Sequence, residues 1–290
     1  MTDVSFAERY GPWAFIAGAS TGTGMALSNE VASRGINIVM VARNAERLEE
    51  AAATVRTEHG IDVRTLAVDL ADPDIGAIAA EATDDLDVGL LVYNATIEVF
   101  GRFLKSSVDR HLLGLSVNCV APVVLCHLFA SAMVDRGRGG IGIVGSNAAT
   151  QGSVNFSTYA AGKAFEWILA ESLWAELGDQ GVDVCTLLAG PIASPTYLQF
   201  QQTLDPELCN RPDSPDLLDQ YRARLMDPSE PSEVATALLD NLADGPVCYA
   251  HPLDEKVSRS CAAMTRREAV TFKRAYHETQ QRDDARMLRQ

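Results

Sequence analysis

Short apolar runs alternate with longer segments of mixed polarity over the first 190 residues of the chain. Each run has the length of a strand, is rich in Val, Ile and Leu, and shows no polar face. The runs are AFIAG, NIVMVA, VRTLAVDL, VGLLVYNA, GIGIVGS and VDVCTLLAG. The segments between them, such as NAERLEEAAATVRTEHG, have the Ala, Leu and Glu content of helices. Because strands that are apolar on both faces need helices on both sides, the pattern predicts a doubly wound parallel α/β fold, the Rossmann fold.

The pattern weakens after Gly190. Six prolines fall between Pro191 and Pro228, and a seventh follows at Pro231. Proline cannot donate a ladder hydrogen bond, so this region is not a central strand. A long connection of this kind in a compact domain is usually a functional lid or a disordered linker. We assign residues 10–250 to one α/β domain that includes a lid at about residues 193–230.

The sequence after the lid predicts a helix, a short strand and a further helical segment. SEVATALLDNLADG predicts a helix with Ser232 at its start and Gly245 past its end, and PVCYA predicts a last short strand. Residues 251–290 are charged and compatible with a helical tail. Such a tail either lies in solvent or packs on a neighbouring subunit, and the sequence leaves both open.

The charge balance excludes some functions. With 24 Lys and Arg against 39 Asp and Glu, the net charge of −15 disfavours nucleic acids and anionic membranes as partners. HLLGLSVNCVAPVVLCHLFASAMV is interrupted by Asn118, Pro122 and His127, which suits a buried helix better than a membrane span. No secretory leader is recognisable, and the six cysteines and five histidines form no metal-binding motif. We expect a cytoplasmic protein without a metal.

A glycine-rich turn, GASTGTG, follows the first predicted strand. Gly18, Gly22 and Gly24 open a helix there, where backbone N–H groups and the helix dipole attract a pyrophosphate. The alternative is an ordinary tight turn, but the position between strand and helix favours a dinucleotide site. The hydroxyl side chains of the same turn, assigned to this site, are Ser20, Thr21 and Thr23.

Arg43 ends the second predicted strand, in VARN. Enzymes that prefer NAD usually carry an acidic residue there for the ribose 2′-hydroxyl. A guanidinium instead pairs with a 2′-phosphate, so the sequence favours NADP(H) over NAD(H). The alternative is a solvated arginine.

Polar residues also follow the third and fourth strands. Asp69, with Leu70, is placed to meet the adenine, although Asp69 could equally cap a turn. Asn94, Ala95 and Thr96 stand at the carboxyl edge of the sheet, where ligands of open α/β sheets bind.

Tyr159 and Lys163 lie four residues apart, on one face of a predicted helix. An ammonium near a phenol lowers the phenol pKa and makes the tyrosine a competent acid or base. Ser146 closes the fifth strand and could bond a substrate oxygen beside the phenol. Asn118, within an apolar helix, is either a buried structural amide or binds water in a proton path.

These motifs, in this order, resemble the classical short-chain dehydrogenase/reductase family over residues 10–250. The resemblance implies hydride transfer between a nicotinamide and a carbon bearing oxygen. Tyr159 would give the proton, Ser146 would position the carbonyl, Lys163 would hold the nicotinamide ribose and lower the pKa of Tyr159, and Asn118 would hold a relay water. It also implies that Gly190, Ile192 and Ser194 bind the cofactor. The chain departs from the family pattern at Thr96, Ala189 and Ser194, where glycine, proline and threonine are usual.

The leading hypothesis is therefore an NADP(H)-dependent oxidoreductase for a carbonyl or alcohol, working as a homodimer or homotetramer. A non-catalytic NADP-binding regulator and an epimerase or dehydratase with bound nicotinamide are the alternatives. By the family topology, the pocket is lined after Thr96, by the loop from Asn147 to Phe156 and by the lid from Pro195. The apolar residues there predict an apolar substrate, unless they merely pack the lid: Ile97, Val99, Phe100, Phe156, Tyr197, Leu198 and Phe200.

Overall fold

A seven-stranded parallel sheet forms the centre of the molecule, in strand order β3-β2-β1-β4-β5-β6-β7. The computed structural model describes residues 4–202, 204, 209 and 214–278. Every strand predicted from an apolar run is present. The strands are β1 Trp13–Ala17, β2 Asn37–Ala42, β3 Val63–Ala67, β4 Val88–Tyr93, β5 Gly139–Ser146, β6 Val182–Ala189 and β7 Val247–Cys248.

Helices cover both faces of the sheet, which confirms the doubly wound fold. One buried cluster packs α2, α3 and α10 on the sheet through residues such as Leu27, Leu48 and Leu238. The opposite cluster packs α4, α6 and α7. The helices are α1 Phe6–Tyr10, α2 Gly22–Ser33, α3 Ala45–His59, α4 Ile75–Ala82, α5 Val108–Leu115, α6 Ala121–Asp135, α7 Ser157–Leu177, α8 Pro195–Gln201, α9 Leu217–Ala223, α10 Pro231–Asp240, α11 Pro252–Ala263 and α12 Arg266–Glu278.

The long apolar stretch forms α5, a π-helical turn at Ser116–Val120, and α6. Across the ranges that the structure describes, Val108–Asp135 is the one helix long and apolar enough to cross a membrane, judged by length and composition alone. Leu125, Phe129 and Met133 of α6 are buried against the sheet. This packing agrees with the prediction of a core helix.

The lid and the C-terminal tail share a third apolar cluster. Residues of the lid, such as Tyr221 and Leu225, pack on Val257 and Cys261 of α11 and on Tyr276 of α12. The tail therefore contacts its own chain, an arrangement that neither sequence alternative included. The lid contains helices α8 and α9 rather than only irregular chain. Residues 203, 205–208 and 210–213 of the predicted lid and 279–290 of the predicted tail lie outside the described residues.

The start of α10 corrects one prediction. Its N-cap is Glu230, followed by Pro231, and Glu233 completes a reciprocal cap, so Ser232 lies inside the helix rather than at its start. The first N–H groups of a helix have no partner within it, so the missing N–H of proline costs nothing there, and its fixed φ already suits a helix. Pro231 therefore begins α10 one residue before Ser232. Gly245 lies past the end of the helix, as predicted, although the C-cap itself is Asn241.

Candidate active site

The glycine turn sits where β1 and β4 run side by side. A Cβ on Gly18 would meet the Ala95 backbone at 2.8 Å, and one on Gly24 would meet the Gly18 carbonyl oxygen at 1.7 Å. Asn94 stabilises the same contact between the turn and β4, since its Nδ2 donates to the Gly18 carbonyl oxygen at 2.9 Å. Three of the predicted cofactor residues therefore hold the turn against the end of β4, and side chains larger than hydrogen do not fit at either glycine.

The open side of the turn is suited to a pyrophosphate. Gly22 has φ +52°, and the nearest atoms to a Cβ there are Ser194 Cβ at 3.6 Å and Pro195 Cδ at 3.7 Å. Thr21 is the N-cap of α2 but makes no side-chain capping bond, so the first N–H groups of the helix remain available to an anion. Thr21 is exposed and Ser20 half-buried beside it, while Thr23 is buried. These residues fit a dinucleotide.

Arg43 lies exposed beyond β2, with no hydrogen bond or ion pair to any residue that the structure describes. Its guanidinium is thus available to a phosphate. Asp69 caps a turn, since its Oδ1 accepts from the Ala71 N–H at 3.0 Å, so the capping interpretation of Asp69 holds. Its carboxylate remains exposed, whereas Leu70 is buried. The adenine contact remains a prediction.

The structure brings Ser146 and Tyr159 together at the end of β5. Tyr159 is buried, and the Ser146 hydroxyl lies near enough to the phenol to lower its pKa, against the larger effect of burial. Ser146 Oγ also accepts from the Ala148 N–H at 3.1 Å, which fixes its orientation. Burial is the main cause that raises the pKa of Tyr159 well above its ordinary value, and the carboxylates of Glu98 and Glu166 add to the effect.

Lys163 is one turn further along α7, but its ammonium is engaged elsewhere. Its Nζ donates to the Val144 carbonyl oxygen at 2.9 Å and to Glu166 Oε2 at 2.8 Å. Burial raises the pKa of Tyr159, and Glu98 and Glu166 raise it further. The prediction that Lys163 lowers this pKa stays a prediction, and in this structure the ammonium is paired with Glu166.

The side chain of Asn118 bonds the loop after β4 through both its oxygen and its nitrogen. Its Oδ1 accepts from the Ile97 N–H at 2.9 Å and from the Thr96 hydroxyl at 3.3 Å, and its Nδ2 donates to the Ile97 carbonyl oxygen at 2.9 Å. The side chain thus matches the structural interpretation, and Thr96, the departure from the family pattern, strengthens it. The relay water stays a prediction. Asn118 lies in the π turn, a distortion that is frequent at functional sites.

An aromatic wall stands next to the phenol. The Phe100 ring is 4.6 Å from that of Phe156 and 5.1 Å from that of Tyr159, and His277 of α12 stacks on Phe156 at 4.1 Å. The Phe156 ring also lies 6.0 Å from that of Tyr159, and Val99 is buried. In the lid, by contrast, Tyr197 packs on Phe200 and donates to the Leu225 carbonyl oxygen, and Leu198 is exposed. Tyr197 and Phe200 fit the alternative of lid packing, whereas Leu198 does not join the lid cluster.

The segment after β6 is held by the C-terminal tail. The Gly190 N–H donates to Asp254 Oδ2 at 3.1 Å, and a Cβ on Gly190 would meet Asp254 Oδ1 at 2.2 Å. Asp254 is fully buried and faces Arg224 of the lid at 3.6 Å. Ile192 bridges to Ser229, while Ser194 caps α8. The predicted nicotinamide segment is therefore clamped between lid and tail.

Four residues of this site are absent from the sequence prediction. Of the four, Glu166 alone could have been found from the sequence, because a residue three positions after Lys163 lies on the same face of the predicted helix. Glu98 follows Ile97 directly, but nothing in the pattern shows that its carboxyl would be partly buried near Tyr159, where burial raises its pKa. Asp254 and His277 come from the tail, whose path the sequence does not specify.

The comparisons agree with this geometry. A model of the short chain dehydrogenase family matches residues 12–205, so the chain belongs to that family. The 7beta-hydroxysteroid dehydrogenase of Clostridium sardiniense is 33% identical over 196 residues, which cover 68% of this chain and 75% of the relative.

Two solved structures extend the comparison. One, described as giving insights into 7beta-hydroxysteroid dehydrogenase stereoselectivity, has a TM-score of 0.81 and 26% identity, covering 93% of this chain and 99% of that chain. A short-chain dehydrogenase from Sphingobium yanoikuyae in complex with NADPH has a TM-score of 0.71 and 26% identity, covering 87% and 94%. The first likeness extends beyond residue 205, so it includes part of the lid and tail region.

Asp254→Ala tests the clamp. The change leaves the buried Arg224 without its counter-charge and the Gly190 N–H without its acceptor, so we expect the free energy of unfolding to fall by about 3–5 kcal/mol. Urea denaturation measures this loss. The neighbouring Glu255 bonds only to the exposed Arg259, and Glu255→Ala is the matched control, expected to stay within about 0.5 kcal/mol of the parent. Equal losses for the two variants would contradict the clamp.

Proposed function

We propose that the protein is an NADP(H)-dependent oxidoreductase that interconverts a carbonyl group and a secondary alcohol on a bulky apolar substrate. The observation that carries the proposal is the buried Tyr159 beside Ser146 at the end of β5, with Lys163 one turn away on α7 and an aromatic wall next to the phenol. Membership of the short chain dehydrogenase family supports the reaction class.

In reduction, the bound nicotinamide would supply the hydride, and the residues of this chain supply the rest. Tyr159 donates its phenolic proton to the substrate oxygen, and its raised pKa keeps that proton in place at neutral pH. The Ser146 hydroxyl, oriented by the Ala148 N–H, bonds the same oxygen. Lys163 stabilises the phenolate that the transfer leaves. The wall of Phe100 and Phe156 excludes water from the phenol.

The substrate proposal is a hydroxysteroid or a similarly rigid polycyclic alcohol. Phe100 and Phe156 give one side of the pocket an aromatic surface, and His277 extends it from the tail. Flat aromatic walls suit fused rings because they bury a large apolar area without ordering a flexible ligand. The names of the relatives support the same class.

The test is oxidation of NADPH across ketosteroids, simple ketones, sugars and acyl thioesters. We expect turnover with ketosteroids, and Tyr159→Phe should lower it by at least about 100-fold, since the proton donor is lost. Affinity for NADPH, measured by fluorescence titration, should be retained. Comparable turnover in Tyr159→Phe would sink the acid/base role. Tight NADPH binding with no turnover on any carbonyl would support the non-catalytic alternative.

Arg43 is our candidate for the 2′-phosphate, because its guanidinium is exposed and unpaired within the described part of the chain. Arg43→Asp replaces attraction by repulsion, and we expect the preference for NADPH over NADH to fall by about 10- to 100-fold. Ratios of kcat/KM for the two cofactors measure it. Arg267→Asp makes the same charge change on an exposed part of α12 and should leave the ratio as it was. An unchanged ratio in Arg43→Asp would refute the assignment.

We also propose a homodimer or homotetramer in the cytoplasm. All six cysteines are free thiols, as is usual in a reducing compartment. The helices α5 and α7 lie side by side and, with α6, expose a run of large apolar residues. They are Val108, Leu112, Leu113, Val120, Val123, Phe165, Ile168 and Trp174. An apolar face of this extent is typical of an interface.

Ile168, 56% exposed on α7, tests the assembly. Ile168→Glu would bury a charge if that face is an interface, so light scattering should show a smaller particle than the parent protein. Val270→Glu places the same charge on α12, where 40% of the valine is exposed, and should leave the mass unchanged. A parent protein that is already monomeric would contradict the proposal.

A further inference from the structure

Glu166 is a carboxylate buried beneath the reactive end of the site. It is fully buried on α7, one turn after Lys163, which is itself only 3% exposed. Its Oε2 is 2.8 Å from Lys163 Nζ, and its Oε1 has no hydrogen-bond partner among the residues described. Burying a carboxylate in this way is costly, and the one cation that it contacts is the lysine of the reactive pair.

Lys163 has three N–H donors, and two of them are already in use. One bonds the Val144 carbonyl oxygen and one bonds Glu166, so one is left for the reaction centre. The charge that Lys163 presents to Tyr159 therefore depends on Glu166. When the Glu166 carboxyl is ionised, the pair is nearly neutral, and when it is protonated, Glu166 no longer cancels the charge of the ammonium.

Four other titratable groups near Glu166 carry no charge that would offset its negative charge near pH 7. Tyr93 on β4, Cys119 in the π turn, Cys126 on α6 and Tyr159 on α7 are influenced by its charge. Burial raises the pKa of each above its ordinary value, so all four are neutral near pH 7. The second carboxyl that faces both Lys163 and Tyr159 is Glu98, in the loop after β4.

We propose that Glu166 is a positioning residue that acts through Lys163 and sets the acidity of Tyr159, so that the ionised carboxylate holds the site in its proton-donating form. The proposal rests on the proposed function, in which Tyr159 exchanges a proton with the substrate oxygen. Glu166 itself touches neither substrate nor cofactor. Its effect is electrostatic, passed on through the ion pair with Lys163.

The pH dependence follows from the burial of Glu166, which raises the pKa of its carboxyl to about 7. Above that pH the carboxylate is ionised, cancels the charge of Lys163 and makes Tyr159 harder to deprotonate. Below it, the neutral carboxyl leaves the ammonium to favour the phenolate. Alcohol oxidation needs the phenolate, so ionised Glu166 displaces the alkaline rise of oxidation to higher pH.

Glu166→Gln tests this, because glutamine keeps the shape and an acceptor oxygen but carries no charge. We expect the alkaline rise in kcat for alcohol oxidation, measured with NADP⁺ and the best alcohol of the panel, to move about one pH unit lower. Glu166→Asp keeps the charge and should restore the parental profile. A structural role alone would lower the melting temperature without moving the profile. An unchanged profile in Glu166→Gln would overturn the proposal.

Glu171→Gln is the matched control, since Glu171 is on the same helix and bonds Trp167 Nε1 rather than Lys163. Its profile should equal that of the parent. Should Glu166→Gln fail to fold, infrared titration of the parent protein gives a second test. A protonated-carboxyl band that disappears at about pH 7 supports the proposal. If no such band disappears within about one pH unit of that value, the proposal is refuted. This titration needs no turnover, so it separates failure of the inference from failure of the proposed function.

Discussion

The close approach of β1 and β4 governs the geometry of this molecule. The two strands are neighbours in space but belong to opposite halves of the sheet order, so their carboxyl ends leave a crevice between the flanking helices. Gly18 and Gly24 allow the turn to press against the end of β4, and Asn94 fastens it. The glycine turn and the end of β4 meet at this one contact, and the loop that carries Phe100 continues from it toward Tyr159.

Much of the fold could be predicted because buried parallel strands leave a direct mark on the sequence. Runs such as NIVMVA and VGLLVYNA are apolar on both faces, and each became a strand. The lid has no comparable sequence pattern, since its many prolines exclude strands but do not predict the short helices α8 and α9. Proline also moved the start of α10, because its fixed φ suits a first helical turn.

The site was predictable where chemistry follows local spacing and unpredictable where it depends on distant contacts. Tyr159 and Lys163 share a helix face, and Ser146 ends a strand, so their proximity could be inferred. The acidity of Tyr159 could not, because it depends on burial and on carboxyls at Glu98 and Glu166. The use of the Asn118 amide by the Ile97 backbone is likewise a tertiary contact that no periodicity reveals.

The clamp of Asp254 on Gly190 has a consequence for local opening of the molecule. The bond from Gly190 to Asp254 ties the segment after β6 to α11, and the stacking of His277 on Phe156 ties the start of α7 to α12. Because both contacts need the tail to stay docked, a local opening of α11 and α12 releases both places at once. The docked tail therefore couples the segment after β6 to the aromatic wall, although the two belong to different elements of the fold.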